Sequence, residues 1–409
     1  MPRLFLCLHI RMMFIKFAQP SYDMKKRILL LSHIPPYPAV GGDHIRICQG
    51  VDFLTRHFEV DIAFITHRRD VVSQKSFNSA IVNEYSFYVP PVLRALQAVR
   101  TIVNGRAEVV NHYDNSAMRR FVAAHAHEYS FIFCASAVMA QYVMGLNGIK
   151  SYLDMTDSLA MNRETAAKMF HGIRQYLLKT EARRLKLYEA EALKYFHRTA
   201  YISEVDASFI CGGAKCIVGN SVSFVPEADC CRHTPDSRNI LFTGIMDYEP
   251  NVAASSFFAR EVMPLIRRDI PDVTFTIAGK SPSAKVRELA ALRGVCVTGF
   301  VESLTPLYRD CALVVAPMLS GSGVQNKILQ ALACGCCVVT TSKGAEGIEQ
   351  LSDSLVICKA DPAVMAACVV QLLHNPEKRR KIGELGRRQV SEGFGSERTD
   401  EQYRKFLDM

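Results

Sequence analysis

Residues 313–341 read LVVAPMLSGSGVQNKILQALACGCCVVTT. Leu313 to Ala316 is a short unbroken apolar run, the pattern of a strand buried on both faces. Pro317 ends it, and a glycine-rich loop, Ser320-Gly321-Ser322-Gly323, follows. That loop opens a helix expected over Val324 to Ala333. Gly335 stands where a helix C-terminus takes a left-handed residue, and Cys337 to Thr341 is the next strand. Strand, glycine loop, helix, glycine stop and strand make one unit of a parallel α/β sheet.

The same unit recurs on both sides. Upstream lie expected strands at Asn239 to Thr243, Val273 to Ala278 and Val295 to Thr298, each ending in glycine: Gly244, Gly279 and Gly299. Helices are expected between them, at about Val252 to Arg267, Ala284 to Arg293 and Leu304 to Asp310. Downstream come a helix at Pro362 to Leu373 and basic C-terminal helices. An earlier series has strands at Ile28 to Ser32, Val60 to Thr66, Ser86 to Val89, Phe131 to Ala135, Ser151 to Asp154, Thr199 to Ser203 and Cys216 to Val218. It includes a helix over Asp43 to Arg56, with Asp43 as its cap, and one long helical stretch from Arg163 to Phe196.

A chain of 409 residues suits two domains of about 150–200 residues each. The expected division is 24–222 for a first Rossmann-like domain, 223–238 for a linker and 239–385 for a second. Residues 386–409 are expected as C-terminal helices packing back on the first domain. Residues 1–23 are apolar but interrupted by Arg3, His9, Arg11 and Lys16, too short and too charged for a spanning helix. Met24-Lys25-Lys26 leads straight into the first strand, so residues 1–23 read as an upstream extension or as a segment lying on a membrane surface.

The net charge of +9 fits either a solvated basic surface or attraction to an anion such as a nucleotide diphosphate, a lipid phosphate or a membrane face. Its basic clusters, Arg183, Arg184 and Lys186, then Lys378 to Lys381 with Arg387 and Arg388, lack interleaved aromatics. A nucleic-acid partner is therefore not expected. The 14 cysteines sit in apolar runs or adjacent pairs, with no paired C-x-x-C spacing, and read as buried thiols and not as a metal site.

Open parallel sheets bind ligands at the C-terminal ends of their strands. Four such ends in the second domain carry glycine, which lets a backbone approach a ligand closely. The last one also leads into a helix N-terminus, where free N–H groups favour phosphate. Lys327, about one turn in, adds a positive charge. Each glycine alone is explained by turn geometry; the four with Lys327 point to a diphosphate.

At this point the segment Ser320 to Thr341 resembles the donor site of family 4 glycosyltransferases. ILFTGIMDYEPN from Ile240, FTIAGK from Phe275 and VTGFVESLTPLYRDCALVVAP from Val297 resemble the same family. RILLLSHIPPYPAVGGDHIR from Arg27, LDMTDS from Leu153 and YISEVD from Tyr201 are similar to a bacterial exopolysaccharide-type branch. The resemblance implies a GT-B architecture, with two doubly wound Rossmann-like domains facing a cleft. It implies transfer of a hexose-like sugar from a UDP- or GDP-sugar to a glycan or lipid-linked acceptor, with retention and with neither metal nor cofactor. A cytoplasmic protein follows, working at the inner face of the membrane.

Carried onto this chain, Gly321, Ser322, Gly323 and Val324 offer backbone N–H groups to the diphosphate, and Lys327 neutralises it. Gln330 contacts the donor. Phe300, Val301 and Glu302 frame the base, while Gly244 and Lys280 line the donor side. From the first domain, Gly41, Gly42, His44 and Arg46 reach over the cleft, and Asp154 and Asp157 stand beside the reacting sugar. By their spacing alone, Asp154 and Asp157 fit equally well as caps of the next helical turn.

The family's paired glutamates fall on Ser322 and Gln330, neither of them acidic. Glutamine can hydrogen-bond a hydroxyl but supplies no charge. Met246 to Asn251 replaces the usual arginine and lysine after the first strand of the second domain. These departures support a rival, a non-catalytic sugar-nucleotide-binding scaffold subunit of a polysaccharide assembly complex; a third reading is an epimerase acting on a sugar nucleotide.

Overall fold

The computed structural model describes residues 25–37, 42–67, 80–168, 170–321 and 323–409. Residues 1–24, Gly41 and Ser322, singled out above, lie outside them.

Among the described residues there are two all-parallel sheets. The first contains β1 (Arg27–Ser32), β2 (Glu59–Thr66), β3 (Ile81–Tyr88), β4 (Ile132–Ala135), β5 (Ser151–Thr156), β6 (Arg198–Tyr201) and β7 (Lys215–Ile217). Their spatial order is β3-β2-β1-β4-β5-β6-β7. The second contains β8 (Asn239–Thr243), β9 (Thr274–Ala278), β10 (Val295–Gly299), β11 (Leu313–Ala316), β12 (Val338–Thr341) and β13 (Leu355–Cys358), in the order β10-β9-β8-β11-β12-β13. Both orders run outward one way and then the other, so each sheet has a switch point: β1/β4 in the first and β8/β11 in the second.

The apolar runs are explained by coverage on both faces. Ile28 and Leu30 pack into one core layer of the first domain, and Leu29 and Leu31 into the opposite one. Ile240 and Phe242 face one layer of the second domain, and Leu241 the other. A strand with helices on both faces loses its polar alternation.

Several elements differ from the sequence reading. The long helix is two, Leu159–Ala167 and Gly172–Ala192, parted where Gly172 takes φ +63°. Helix Glu249–Phe257 runs through a π-turn, Phe258–Val262, into Met263–Asp269, because Pro264 removes a ladder donor. Helix Gly42–His57 begins one residue before Asp43. The glycine-loop helix is Asn326–Ala333, two residues later than expected. It ends as the sequence suggests: Gly335 takes φ +71° and donates to the Leu332 carbonyl, while Cys336 N–H reaches Ala331 O at 2.9 Å.

Helix Pro376–Phe394 stays with the second domain, with Val390 in its core, so the expected boundary at 386 falls inside it. Helix Ser396–Leu407 crosses back. Its Tyr403, Phe406 and Leu407 are buried in the first domain, Tyr403 stacks on Phe53 at 5.0 Å, and Asp400 pairs bidentately with Arg56. Among the described residues no helix is long and apolar enough to cross a membrane.

Candidate functional site

At the switch point of the second sheet, the loops after β8 and β11 converge. Lys327, in the first turn of helix Asn326–Ala333, donates from Nζ to Asn251 Oδ1 on the helix that follows β8. The same amine lies 3.6 Å from Met318 Sδ and 5.0 Å from the centre of the buried Phe242 ring. Among the described residues no carboxylate faces it. Loss of hydration alone therefore pulls its pKa from 10.5 down to about 7.

Asn251 is itself fixed: its Nδ2 donates to Ile245 O at 3.0 Å and its N–H to Tyr248 O at 2.9 Å. Pro250 in the first turn presets the start of that helix.

Above Lys327 the loop turns through Gly321 at φ +115° and Gly323 at φ +72°, backbone conformations that suit glycine. The helix it opens has no side-chain cap, since Gln325 turns back to the Gly323 carbonyl. Among the described residues the N–H groups of Gly321, Gly323 and Val324 have no acceptor within the chain. Open N–H groups, the positive end of a helix and a desolvated amine share one place, which is the physical definition of an anion site.

Two of the other strand-end glycines have a packing reason. A Cβ on Gly279 would sit 1.7 Å from the Gly244 carbonyl oxygen, and one on Gly244 would sit 2.7 Å from Asn251 Nδ2. They bring the ends of β8 and β9 together and leave Asn251 room.

Residues 237–375 match the family described as glycosyl transferases group 1. A 152-residue stretch is 25% identical to an uncharacterized 44.6 kDa protein in the cps region of Klebsiella pneumoniae, over 35% of this chain and 39% of that protein. The chain therefore spans less than half the length of that relative in the match.

Among solved structures, HepE from Anabaena in complex with UDP superposes with a TM-score of 0.65 at 13% identity, over 93% of this chain and 99% of that one. A variant of TarM from S. aureus, in complex with Fondaparinux, alpha-GlcNAc-glycerol and UDP, gives 0.68 at 11% identity over 94% and 100%. At such identities the likeness carries the fold, and the fold is GT-B.

In the second domain, Gln330 lies half-buried on the Lys327 helix, three positions on and so on the same face. Lys280 follows Gly279 at the end of β9, half-buried, with its carbonyl holding Met246 N–H at 2.9 Å. Phe300, Val301 and Glu302 follow β10, the sheet edge, two strands from the switch point; Phe300 and Glu302 are exposed and Val301 is half-buried. All share the C-terminal rim with Lys327.

The first domain places its candidates differently. Gly42 opens helix Gly42–His57, and His44 is half-buried in its first turn. Arg46 and Asp154, expected to touch substrate, are engaged by each other. Arg46 Nε and Nη2 donate to the two Asp154 oxygens at 2.9 and 3.0 Å, and both side chains are buried. Tyr403 OH and Thr156 N–H complete the carboxylate, and Arg46 Nη1 donates to Gly219 O. Burial opposes the Arg46 charge, but Asp154 and then Tyr403 outweigh it and raise the guanidinium pKa. The pair thus positions β5, the Gly42 helix and the returning C-terminal helix.

Asp157 is half-buried above that pair, accepts from Asn162 Nδ2 at 2.7 Å and does not cap the helix; Ser158 does, accepting from Met161 N–H. Burial and then the Asp157 charge push the Tyr248 phenol up, which sets Asp157 and Tyr248 near each other across the cleft.

A cavity at the β1/β4 switch point is lined by Arg46, Ser136, Asp154, Thr156 and Asp157. Ser136 at φ +97° and Thr156 at φ +67° hold conformations that L-residues avoid, at adjacent strand ends of that cavity. Neither was singled out in the sequence, and Asn251 only as the end of the stretch that replaces the usual arginine and lysine. The signal that marks Asn251 is its place after Pro250, at the head of the first helix beyond a switch-point strand.

Proposed function

We propose that the protein is a glycosyltransferase. It would take a sugar from a nucleotide diphosphate donor and pass it to a glycan or lipid-linked acceptor in surface polysaccharide synthesis. The observation that carries this is the desolvated Lys327 amine, fixed by Asn251 beneath an uncapped helix N-terminus. A diphosphate there would receive backbone N–H groups and restore full charge to Lys327. The same contacts would strengthen on the leaving diphosphate as charge builds in the transition state. No metal is required for that role. The group 1 family match and the UDP in the Anabaena and S. aureus structures support a uridine diphosphate donor.

The acceptor would enter from the first-domain cavity, near Asp157. Asp154 has both oxygens occupied, and retention rests on the resemblance to family 4 glycosyltransferases. The Klebsiella relative's cps region supports a polysaccharide setting. A lipid-linked acceptor would bring the protein to the inner face of the membrane. Helix Gly172–Ala192 suits that surface, leaving Ile173, Tyr176, Leu177 and Leu187 exposed along a helix that also carries Arg183 and Arg184. The second basic cluster fits less well, because Arg379 is buried and Arg387 donates inward to Ala333 O and Val225 O.

The non-acidic residues at 322 and 330 favour a second reading, a sugar-nucleotide-binding scaffold. Transfer of labelled sugar from a panel of UDP- and GDP-sugars to membrane-lipid and glycan acceptors separates the two. Lys327→Ala should lower donor affinity and turnover about 10–100-fold, as loss of a charged hydrogen bond predicts. Turnover unchanged in Lys327→Ala would end the assignment, and donor binding without transfer would favour the scaffold.

A further inference from the structure

Three cysteines that lie far apart in sequence meet at the bottom of the second sheet, opposite the rim that holds Lys327. The sulfurs of Cys231, Cys311 and Cys336 all lie within 4.8 Å of one another. Cys231 belongs to the segment entering the domain, Cys311 precedes β11, and Cys336 follows the Lys327 helix just before β12. Cys311 and Cys336 are fully buried, and Cys231 nearly so. Tetrahedral thiolates around zinc, at about 2.3 Å each, stand about 3.8 Å apart, so the cluster needs only small adjustments to close on an ion.

A fourth candidate ligand, His233, touches Cys231; its Nδ1 lies more than 4.8 Å from at least one of the other sulfurs and would swing inward on binding. His233 Nε2 donates to Gly335 O at 2.7 Å, which leaves the lone pair on Nδ1, 3.6 Å from Cys231 Sγ. A histidine that gives one ring N–H to a carbonyl and turns the other nitrogen to sulfur has the tautomer and support of a metal ligand. His233 reaches this place in a left-handed conformation, φ +47°, that non-glycine residues avoid.

An independent feature points the same way. Arg379 is fully buried, donating to Leu372 O, Leu373 O and Thr234 O, with no acceptor for Nε among the described residues. Among the described residues it has no carboxylate partner; the groups in electrostatic range are Cys337, Cys231 and Cys311 together with a second cation, Arg238. A buried cation next to thiols is balanced if those thiols carry negative charge.

We propose that Cys231, Cys311, Cys336 and His233 form a structural site for zinc(II). On binding, the three thiol protons, now directed at the Tyr308 and Cys311 carbonyls, leave to water. Three thiolates and Nδ1 fill the tetrahedron, and the centre's net negative charge faces Arg379. Four protein ligands leave no open position, so the ion acts by holding the interdomain segment to the base of β11 and β12. Ligand spacing hid this site, because no two of its cysteines form a C-x-x-C pair.

The test uses the full chain carrying no polyhistidine tag, purified in reducing buffer, and does not depend on transferase activity. Mass spectrometric metal analysis should give about one zinc per chain. Cobalt(II) exchanged for it should show thiolate charge-transfer absorption and the strong visible bands of a tetrahedral centre. Competition with a chromophoric chelator should show Cys231→Ser and His233→Ala each weakening affinity at least tenfold, while Cys134→Ser, a buried thiol of the first domain, leaves it unchanged. Cys336→Ser, which alters the core, is read only alongside these. Less than a tenth of a zinc per chain with no uptake of added zinc or cobalt, or a disulfide among the three in the native chain, would overturn the proposal.

Discussion

Replacing Lys327 by methionine should make the protein more stable while removing donor binding. The lysine stands among Phe242, Met318 and Asn251 with its pKa pulled from 10.5 to about 7. A drop of that size corresponds to at most about 5 kcal/mol of folding free energy withheld near neutral pH. Water entry and local relaxation reduce such figures, and about 2 kcal/mol is the expected net gain for an apolar side chain of similar length. That corresponds to a rise of about 4–8 °C in the melting transition of a domain of this size.

The gain has a pH signature. With the folded pKa below the unfolded one, the unfolded chain holds more protons between about 7 and 10.5, so the wild type recovers stability as pH rises through that window. The advantage of Lys327→Met is therefore full at and below pH 7 and about halved by pH 9. Scanning calorimetry of both proteins at the two pH values measures it. A melting temperature unchanged or lowered at pH 7, or a difference independent of pH, would refute the picture of a desolvated amine awaiting an anion.

Other outcomes follow from the same geometry. Asn251→Ala removes the acceptor that fixes Lys327 and should weaken donor binding about tenfold or more in a titration, with the fold retained. Gly279→Ala sets a Cβ 1.7 Å from Gly244 O at φ +154° and should cost about 3 kcal/mol or more in denaturant unfolding; Gly299→Ala, with nothing within 4 Å, should cost about 1. Burial raises the Glu189 carboxyl to about 7, so the native state holds the extra proton and stability falls as pH rises from 4.5 to about 7. Glu189→Gln, which keeps the amide within reach of Ser158 and Ala160, should flatten that slope and stabilise the chain at pH 8 by about 2 kcal/mol in chemical denaturation.

Strands buried on both faces were easy to read because their apolar runs are continuous: β8 and β11 fall on the expected residues. β13, Leu355–Cys358, was passed over; it has four residues, lies at the sheet edge and leaves Ile357 exposed, so its pattern is too short and too mixed. β3 begins earlier than expected because its side chains are mostly half-buried. The glycine loop and Lys327, proposed to hold an anion, were legible because local chemistry writes them. What sequence spacing could not show is which groups meet across the fold. Arg46 and Asp154 are 108 positions apart and answer each other's charge, so two residues expected at the substrate are held by one another. Cys231, Cys311 and Cys336 are brought together only by the way the sheet is wound.

The central claim is that the β8/β11 switch point holds a nucleoside diphosphate against Lys327. Titration calorimetry with UDP and with GDP, at pH 8 in two buffers of different ionisation enthalpy, tests it most directly. Near that pH the unliganded lysine is largely neutral, and a bound diphosphate raises its pKa, so binding should take up close to one proton in the wild type. Lys327→Met should show neither that uptake nor comparable affinity. Binding of equal strength by both proteins with no buffer dependence, or no binding of either nucleotide, would contradict it.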